Sequence, residues 1–205
     1  MNFKTYQETK LEHNENLKQT IVEAAAILLQ EHGPEAVTIR KVAEKMECST
    51  KIIYNLFNKK DGLIKLLYLE GCKLLAESFR SIDKQENLQE YLCSLCEAYW
   101  DFSYNYPSYY QLMFGGAFSE FKLEEESIDA TNTALQQFTE VIKGAIEAGT
   151  ISEKDPLEVV RVIWASLHGV IHLYLAGHIE SLETAKSLYD KSVANLIQTY
   201  VSSSS

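Results

Sequence analysis

The stretch that decides the fold is residues 38–63, TIRKVAEKMECSTKIIYNLFNKKDGL. Thr38 and Ser49 are of the residue types that cap helices well, and each precedes apolar positions at helical spacing. We therefore predict two short helices, over about 38–46 and 49–57. Only three residues connect them, and so short a turn forces the two helices to cross steeply. This pattern is typical of a helix-turn-helix.

The apolar residues of these two helices predict which faces pack together. The inward positions are Val42, Ala43 and Met46 on the first helix and Ile53, Leu56 and Phe57 on the second. The outer face of the second helix is then left free, and its side chains are Thr50, Lys51, Tyr54 and Asn55. Such side chains can hydrogen-bond to phosphates or base edges, and a helix of this size fits the major groove. A core aromatic is the alternative interpretation of Tyr54.

Charge is distributed unevenly along the chain. The 205 residues carry a net charge of −10, which taken alone disfavours nucleic acid as a partner. Residues 38–60, however, contain six Lys and Arg against two Glu, a basic island that attracts phosphate. Thr38 and Lys60 lie at predicted helix starts, where backbone amides also favour phosphate. A solvated lysine face and a purely structural helix-turn-helix are the alternatives for this stretch.

Helical periodicity continues along the remaining sequence, and no segment alternates cleanly with the period of a strand. We predict an all-α fold of about nine helices. The first is expected to begin at a cap on Asn14 and to stop at Gly33-Pro34. The others are expected over about 60–80, 87–106, 107–115, 127–149, 155–177 and 181–201, in addition to the two of the helix-turn-helix.

The stretch from Thr38 to Leu63 resembles the N-terminal DNA-binding domain of the TetR (TetR/AcrR) family of transcriptional regulators. The matching residues are Thr38, Arg40, Ala43, Ser49, Tyr54, Phe57, Lys60 and Leu63. The resemblance implies base contacts by Arg40, Thr50, Lys51 and Asn55. It implies phosphate contacts by Thr38, Ser49, Tyr54 and Lys60. Glu47 stands where the family usually has glycine, which predicts a less tight or more strained turn.

The same resemblance implies an organisation for the whole chain. We expect a flexible N-terminal arm over 1–14, a helix-turn-helix DNA-binding domain over 15–60, a helical ligand-binding and dimerisation domain over 61–201, and a disordered tail over 202–205. The implied assembly is a homodimer on a palindromic double-stranded DNA operator. Its interface is expected to be a four-helix arrangement of the last two helices, over about 155–177 and 181–201.

The second half of the chain resembles one C-terminal subclass of the family, which carries a Trp…His-Gly signature, here Trp164 and His168-Gly169. Aromatic residues also cluster between Tyr91 and Phe121, and such a cluster suits a pocket for a flat or amphipathic ligand. The candidate ligand-lining residues are Tyr99, Phe102, Tyr106, Tyr110, Phe114, Trp164, His168 and His172. Few Lys or Arg lie among them, so we expect a hydrophobic effector that is neutral or cationic. An ordinary helical core is the alternative.

The remaining patterns predict no catalytic residue, no metal and no cofactor. His168 and His172 share one helical face, but no third ligand stands at a spacing that completes a metal site. Cys93 and Cys96 form a lone CxxC inside a helix, and Cys48 lies in the predicted turn. The 159–176 segment is interrupted by charge, so we expect a helix buried in protein rather than one that crosses a membrane. No signal peptide is recognised, so we expect a cytoplasmic protein.

The sequence thus predicts a DNA-binding regulator, with a repressor that a small molecule releases as the leading interpretation. The alternative is a helical carrier or small enzyme that acts on a hydrophobic ligand and does not bind DNA.

Overall fold

The computed structural model describes residues 5–116, 118, 122 and 124–201. Within them the chain forms ten α-helices, one 3-10 turn and no strand beyond an isolated bridge between Ile151 and Val201. The helices are α1 (Tyr6–His32), α2 (Ile39–Lys45), α3 (Thr50–Phe57), α4 (Lys60–Arg80), α5 (Leu88–Asn105), α6 (Pro107–Phe114), α7 (Glu125–Ala134), α8 (Gln136–Glu147), α9 (Pro156–Leu175) and α10 (Leu182–Tyr200). The predicted all-α class, with an N-terminal helix-turn-helix ahead of a helical C-terminal part, is confirmed.

The chain divides into two compact units. The first contains the described residues up to Gly71 together with those of 106–128. Its core is built where α1, α2, α3 and the start of α4 pack together, and its fully buried side chains include Ile21, Leu29, Val42, Ile53 and Leu63. The first unit thus holds the helix-turn-helix. The predicted functional boundary between residues 60 and 61 stays a prediction.

The second unit contains residues 72–105 and the described residues from Asp129 onward. Its core is formed by α5, α8, α9, α10 and the end of α4, with Leu75, Leu95, Ile142 and Tyr189 fully buried. The Tyr189 hydroxyl donates to the Cys96 carbonyl at 2.5 Å, so this buried polar group is satisfied. Across the described residues, no helix is long and apolar enough to span a bilayer.

Helix α1 starts earlier than predicted. Its N-cap is Thr5, not Asn14. The Thr5 hydroxyl accepts from the Glu8 backbone amide at 3.3 Å, and the Glu8 carboxylate accepts from the Thr5 amide at 2.7 Å. This reciprocal capping box satisfies two amides that would otherwise lack partners at the helix start. Residues 6–14 are therefore helical, where an arm was expected.

The single helix expected over 127–149 is divided into α7 and α8 at Leu135. Leu135 has φ −86° and ψ 1°, which bends the chain. Ala134 and Leu135 are both buried, at 2% and 8% exposure. No Gly or Pro marks the place, so the break could not be predicted from the neighbouring residues.

Candidate nucleic-acid interface

Helices α2 and α3 pack through the apolar faces that the sequence predicts. Val42 and Ile53 are fully buried, and Ala43 and Phe57 are 3% and 6% exposed. Met46 and Leu56 are half-buried at the edge of this contact. Thr38 caps α2, because its hydroxyl accepts from the Lys41 backbone amide at 3.2 Å. The helix-turn-helix is thus held by a small apolar core and one side-chain cap.

The turn between α2 and α3 contains a residue in the left-handed region. Glu47 has φ +49°, a conformation that favours glycine. The Cys48 amide donates to the Ala43 carbonyl at 3.0 Å, and the Glu47 amide donates to the Glu44 carbonyl at 3.1 Å. These two bonds form the Schellman motif that ends many helices, with Glu47 at the position where glycine is usual. The turn therefore keeps its tight geometry, and the strain lies at Glu47.

The outer face of α3 is open to solvent. Thr50, Lys51, Tyr54 and Asn55 are all exposed, and Tyr54 retains 50% of its accessible surface. Ser49 is also exposed and stands at the N-cap position, but its hydroxyl makes no capping bond. These side chains lie on the surface of α3 that its packing on α2 leaves uncovered. The same stretch adds Ile52, 38% exposed, which the sequence reasoning did not single out.

Two of the predicted cationic contacts already have partners within the first unit. Arg40 Nε lies 3.0 Å from Glu44 Oε1, and both side chains are largely exposed. Lys60 Nζ lies 4.7 Å from the centre of the Phe118 ring, a cation–π contact. Lys65 lies 2.7 Å from Glu124 and 2.6 Å from Glu126, and these hydrogen bonds raise the pKa of its ammonium group. Lys51, which lies between Arg40 and Lys60 along the chain, is exposed to solvent on α3.

The junction of α3 and α4 depends on close backbone approach. Asn58 ends α3 with φ +66° and ψ −43°, close to the rare γ-turn of positive φ, and the Lys59 amide donates across it to the Phe57 carbonyl at 2.7 Å. A Cβ atom built on Gly62 would lie 2.2 Å from the Phe57 carbonyl oxygen. Because that oxygen is backbone, it cannot move aside like a side chain. Glycine at position 62 therefore fixes how tightly α4 follows α3.

The second unit brings four of the predicted ligand-lining residues into one cluster. The Tyr99 hydroxyl accepts from Trp164 Nε1 at 2.9 Å and lies 3.5 Å from His168 Nδ1. The His168 and His172 rings are stacked with centroids 5.8 Å apart. Burial and the nearby His172 lower the pKa of His168, which favours a neutral imidazole. The apolar cavity beside Tyr99 and Trp164 has a volume of only about 20 Å³.

The other predicted ligand-lining residues are placed elsewhere. Phe102 is buried in the second unit at 1% exposure. Tyr106, Tyr110 and Phe114 belong to the first unit, where the rings of Tyr110 and Phe114 meet edge to face at 5.3 Å. The eight candidates are thus divided between two compact units. Five of them belong to the second unit and three to the first.

The cysteines and histidines of the described part of the chain form no metal-binding cluster. No group of three or more His, Cys, Asp or Glu residues there could hold a metal ion. Burial raises the pKa of the Cys72 thiol to about 11 and that of Cys96 to about 12. Both thiols are therefore protonated, and so unreactive, at neutral pH.

Helices α9 and α10 present apolar side chains to solvent. Val162 and Leu173 on α9 are 41% and 47% exposed, and Leu188 on α10 is 41% exposed. Gly169 lies on α9 with no atom within 4 Å of a Cβ built on it, so its surroundings are open. Several large apolar residues on two neighbouring helices are what a protein–protein contact surface offers.

Comparison with known proteins gives matches to both parts of the chain. The family model described as bacterial regulatory proteins, tetR family, matches residues 21–67, and the model described as tetracyclin repressor-like, C-terminal domain, matches residues 92–199, more than half of the chain. The uncharacterized HTH-type transcriptional regulator YobS of Bacillus subtilis is 24% identical over 152 residues, which span 74% of this chain and 75% of YobS.

Solved structures share the fold at low sequence identity. A protein of unknown function from Rhodococcus sp. RHA1 is 16% identical with a TM-score of 0.72, over 90% of this chain and 95% of that one. RolR in complex with resorcinol is 15% identical with a TM-score of 0.67, over 90% of this chain and 89% of RolR. The arrangement of helices described above is therefore shared with both of these solved structures.

Proposed function

Since the chain belongs to the tetR family of bacterial regulatory proteins and is a DNA-binding transcriptional regulator rather than an enzyme, we propose that it is a repressor. It binds a palindromic operator as a homodimer, and a small hydrophobic molecule releases it. The observation that carries this proposal is the uncovered outer face of α3, with Thr50, Lys51, Tyr54 and Asn55 all exposed.

Contacts to DNA follow from the positions of these side chains. Residues at the start and on the outer face of a recognition helix reach base edges in the major groove. We assign base contacts to Arg40, Thr50, Lys51 and Asn55, and phosphate contacts to Thr38, Ser49, Tyr54 and Lys60. Arg40 and Lys60 exchange the Glu44 carboxylate and the Phe118 ring for DNA when they bind. An exposed ion pair such as Arg40–Glu44 contributes only about 0–1 kcal/mol, and a cation–π contact outside the core about 0.5–1 kcal/mol, so the exchange costs little.

The homodimer uses the exposed apolar face of α9 and α10. Burying Val162, Leu173 and Leu188 against a second copy removes apolar surface from water, which favours association. Gly169 leaves room for close approach of two helices. Two copies related by a two-fold axis would present two α3 helices to half-sites about 34 Å apart on DNA.

The effector is expected in the helical second unit. RolR, which shares this fold, is known in complex with resorcinol, a small uncharged aromatic molecule. In the present chain the Tyr99, Trp164 and His168 cluster offers polar groups in apolar surroundings, and the lowered pKa of His168 leaves it without a fixed charge. We therefore favour a neutral hydrophobic effector. Phe102, Tyr106, Tyr110, Phe114 and His172 stay candidates for its further contacts.

The test is binding of the purified protein to a fluorescent duplex from its own promoter, with a shuffled duplex as the control. Tight binding to the promoter duplex alone, at two chains per operator, is the expected result. Sedimentation of the protein without DNA should give a dimer, and Leu173→Glu should give a monomer with weakened operator binding. A chain that binds hydrophobic ligands but discriminates no duplex would instead support the helical carrier.

A further inference from the structure

The second unit has a groove that none of the eight predicted ligand-lining residues borders. Its volume is about 820 Å³, and it lies among the last turns of α4, the segment 84–88, the start of α5, and helices α7 and α8. Small-molecule sites commonly have volumes of roughly 300–1,000 Å³. The cavity beside Tyr99 and Trp164, at about 20 Å³, has room for little more than one water molecule. The groove therefore has a much larger volume than the cavity beside Tyr99 and Trp164.

Small residues at the end of α8 line this space. They are Gly144 and Ala145 on the helix and Ala148 at its C-cap. No atom lies within 4 Å of a Cβ built on Gly144, so the space beside this groove-lining residue is open. Ala145 and Ala134 are nearly buried, at 6% and 2% exposure. The floor of the groove is therefore apolar, and the body of a flat or aliphatic molecule can lie on it.

A donor and an acceptor stand together in the groove wall. The Gln137 side-chain amide nitrogen donates to the Tyr91 hydroxyl oxygen at 3.2 Å and approaches the Ile82 carbonyl at 3.4 Å. Tyr91 accepts in this bond and so keeps its own hydroxyl hydrogen for donation. Gln137 likewise offers its carbonyl oxygen as an acceptor. Tyr91 is only 8% exposed, so a ligand oxygen that takes its hydrogen does so away from bulk water.

The charges around the groove balance. Arg80 and Lys84 line it together with Glu86 and Glu140, which gives two cations and two carboxylates. A ligand with a net charge would be attracted by one of these pairs and repelled by the other. The complementary ligand is therefore uncharged.

We propose that this groove is a binding site for an uncharged amphipathic small molecule. The molecule's apolar body lies along α8, and its carbonyl or hydroxyl oxygen accepts the Tyr91 hydroxyl hydrogen. This inference rests on the proposed function only in treating the occupant as a candidate effector, because the binding itself requires no DNA.

The test uses prodan, an uncharged naphthyl ketone whose emission moves to the blue in apolar surroundings. Saturable binding at one prodan per chain is expected, with an affinity at least about tenfold above that of anilinonaphthalene sulfonate, a related fluorophore that carries a negative charge. Gly144→Leu should weaken prodan binding at least about tenfold, because it places a branched side chain on the floor of the groove. Lys143→Leu, an exposed neighbour on α8 that does not line the groove, is the matched control and should bind prodan normally.

Two further measurements separate loss of the site from loss of the fold. Gly144→Leu replaces glycine inside a helix, so its melting temperature should rise by about 2–4 °C. Tyr91→Phe keeps the ring and removes the hydroxyl, and it should weaken prodan binding about 3–10-fold. Unchanged prodan binding by Gly144→Leu, equal binding of the sulfonate, or no saturable binding by the natural chain would each overturn the proposal. Promoter binding without prodan, measured on the same samples, tests the proposed function separately.

Discussion

Glu47 is a residue at which backbone strain is localised within the helix-turn-helix. Its φ of +49° places a side chain in the left-handed region, which costs a non-glycine residue roughly 1–2 kcal/mol. Glycine there loses more chain entropy on folding, which offsets part of the gain. We expect Glu47→Gly to raise the free energy of unfolding by about 1 kcal/mol, measured by urea denaturation followed by circular dichroism.

The matched control for this prediction is Glu47→Ala. Alanine removes the carboxylate but keeps the Cβ atom, so the backbone strain persists and the unfolding free energy should change little. If both variants stabilised the protein equally, the charge of Glu47 rather than its backbone would be responsible, and the strain argument would be wrong.

For single residues, the features that depend on nearby positions in the chain could be predicted from the sequence. The Thr38 cap, the inward positions Val42 and Ile53, and the unusual Glu47 all follow from spacing and residue type within one short stretch. The contact of Lys60 with Phe118 could not be predicted in this way. It joins residues far apart in the chain, and only the packing of the first unit brings them together.

Among the elements, the α3–α4 junction is the least tolerant of added volume. In Gly62→Ala the new Cβ atom would lie 2.2 Å from the Phe57 carbonyl oxygen, so the start of α4 must shift. Forced overpacking of this kind costs about 1–3 kcal/mol, which corresponds to a fall in melting temperature of roughly 2–10 °C. Gly144→Ala, with no atom within 4 Å of its Cβ, should instead melt slightly higher. Equal melting temperatures for the two variants would contradict this account of the junction.

Helix α9 should make stability depend on pH through His168. Burial first, and then His172, lower the pKa of His168 below its ordinary value of 6.5. The unfolded chain therefore takes up a proton before the folded one as pH falls, so this contribution to stability is complete above pH 6.5 and is lost below it. Melting temperatures from pH 5 to 7.5 should decrease towards acid, and His168→Gln should flatten that decrease. A steeper decrease in the variant would show the opposite sign.

Helix ends were predictable where a cap or a proline marks them. Thr38, Asp155 and Ser181 cap α2, α9 and α10 through side-chain bonds, as their positions before apolar runs suggest. The Thr5 and Glu8 pair at the start of α1 was an equally local signal, and it was missed because few apolar residues follow it. The break at Leu135 had no local signal, since no glycine or proline stands there.

For the whole molecule, the uneven charge and the division into two compact units agree with a regulator. The fold class followed from helical periodicity, and the solvent-exposed face of α3 followed from its amphipathic pattern. The ligand contacts were harder to predict, because a pocket depends on where helices leave space. The aromatic residues that attracted attention are largely packed, whereas the 820 Å³ groove lies beside small and amide side chains that no motif marks.

The most direct test of the central claim is the salt dependence of promoter binding by the natural chain, Lys60→Ala and Lys143→Ala. Each phosphate contact contributes about −0.9 to the slope of log K against log salt, so losing Lys60 from both protomers should make the slope shallower by about 2. Lys143 is exposed on α8 and should leave the slope unchanged. A promoter affinity that does not change with salt concentration, or identical slopes for the two variants, would contradict DNA recognition through this interface.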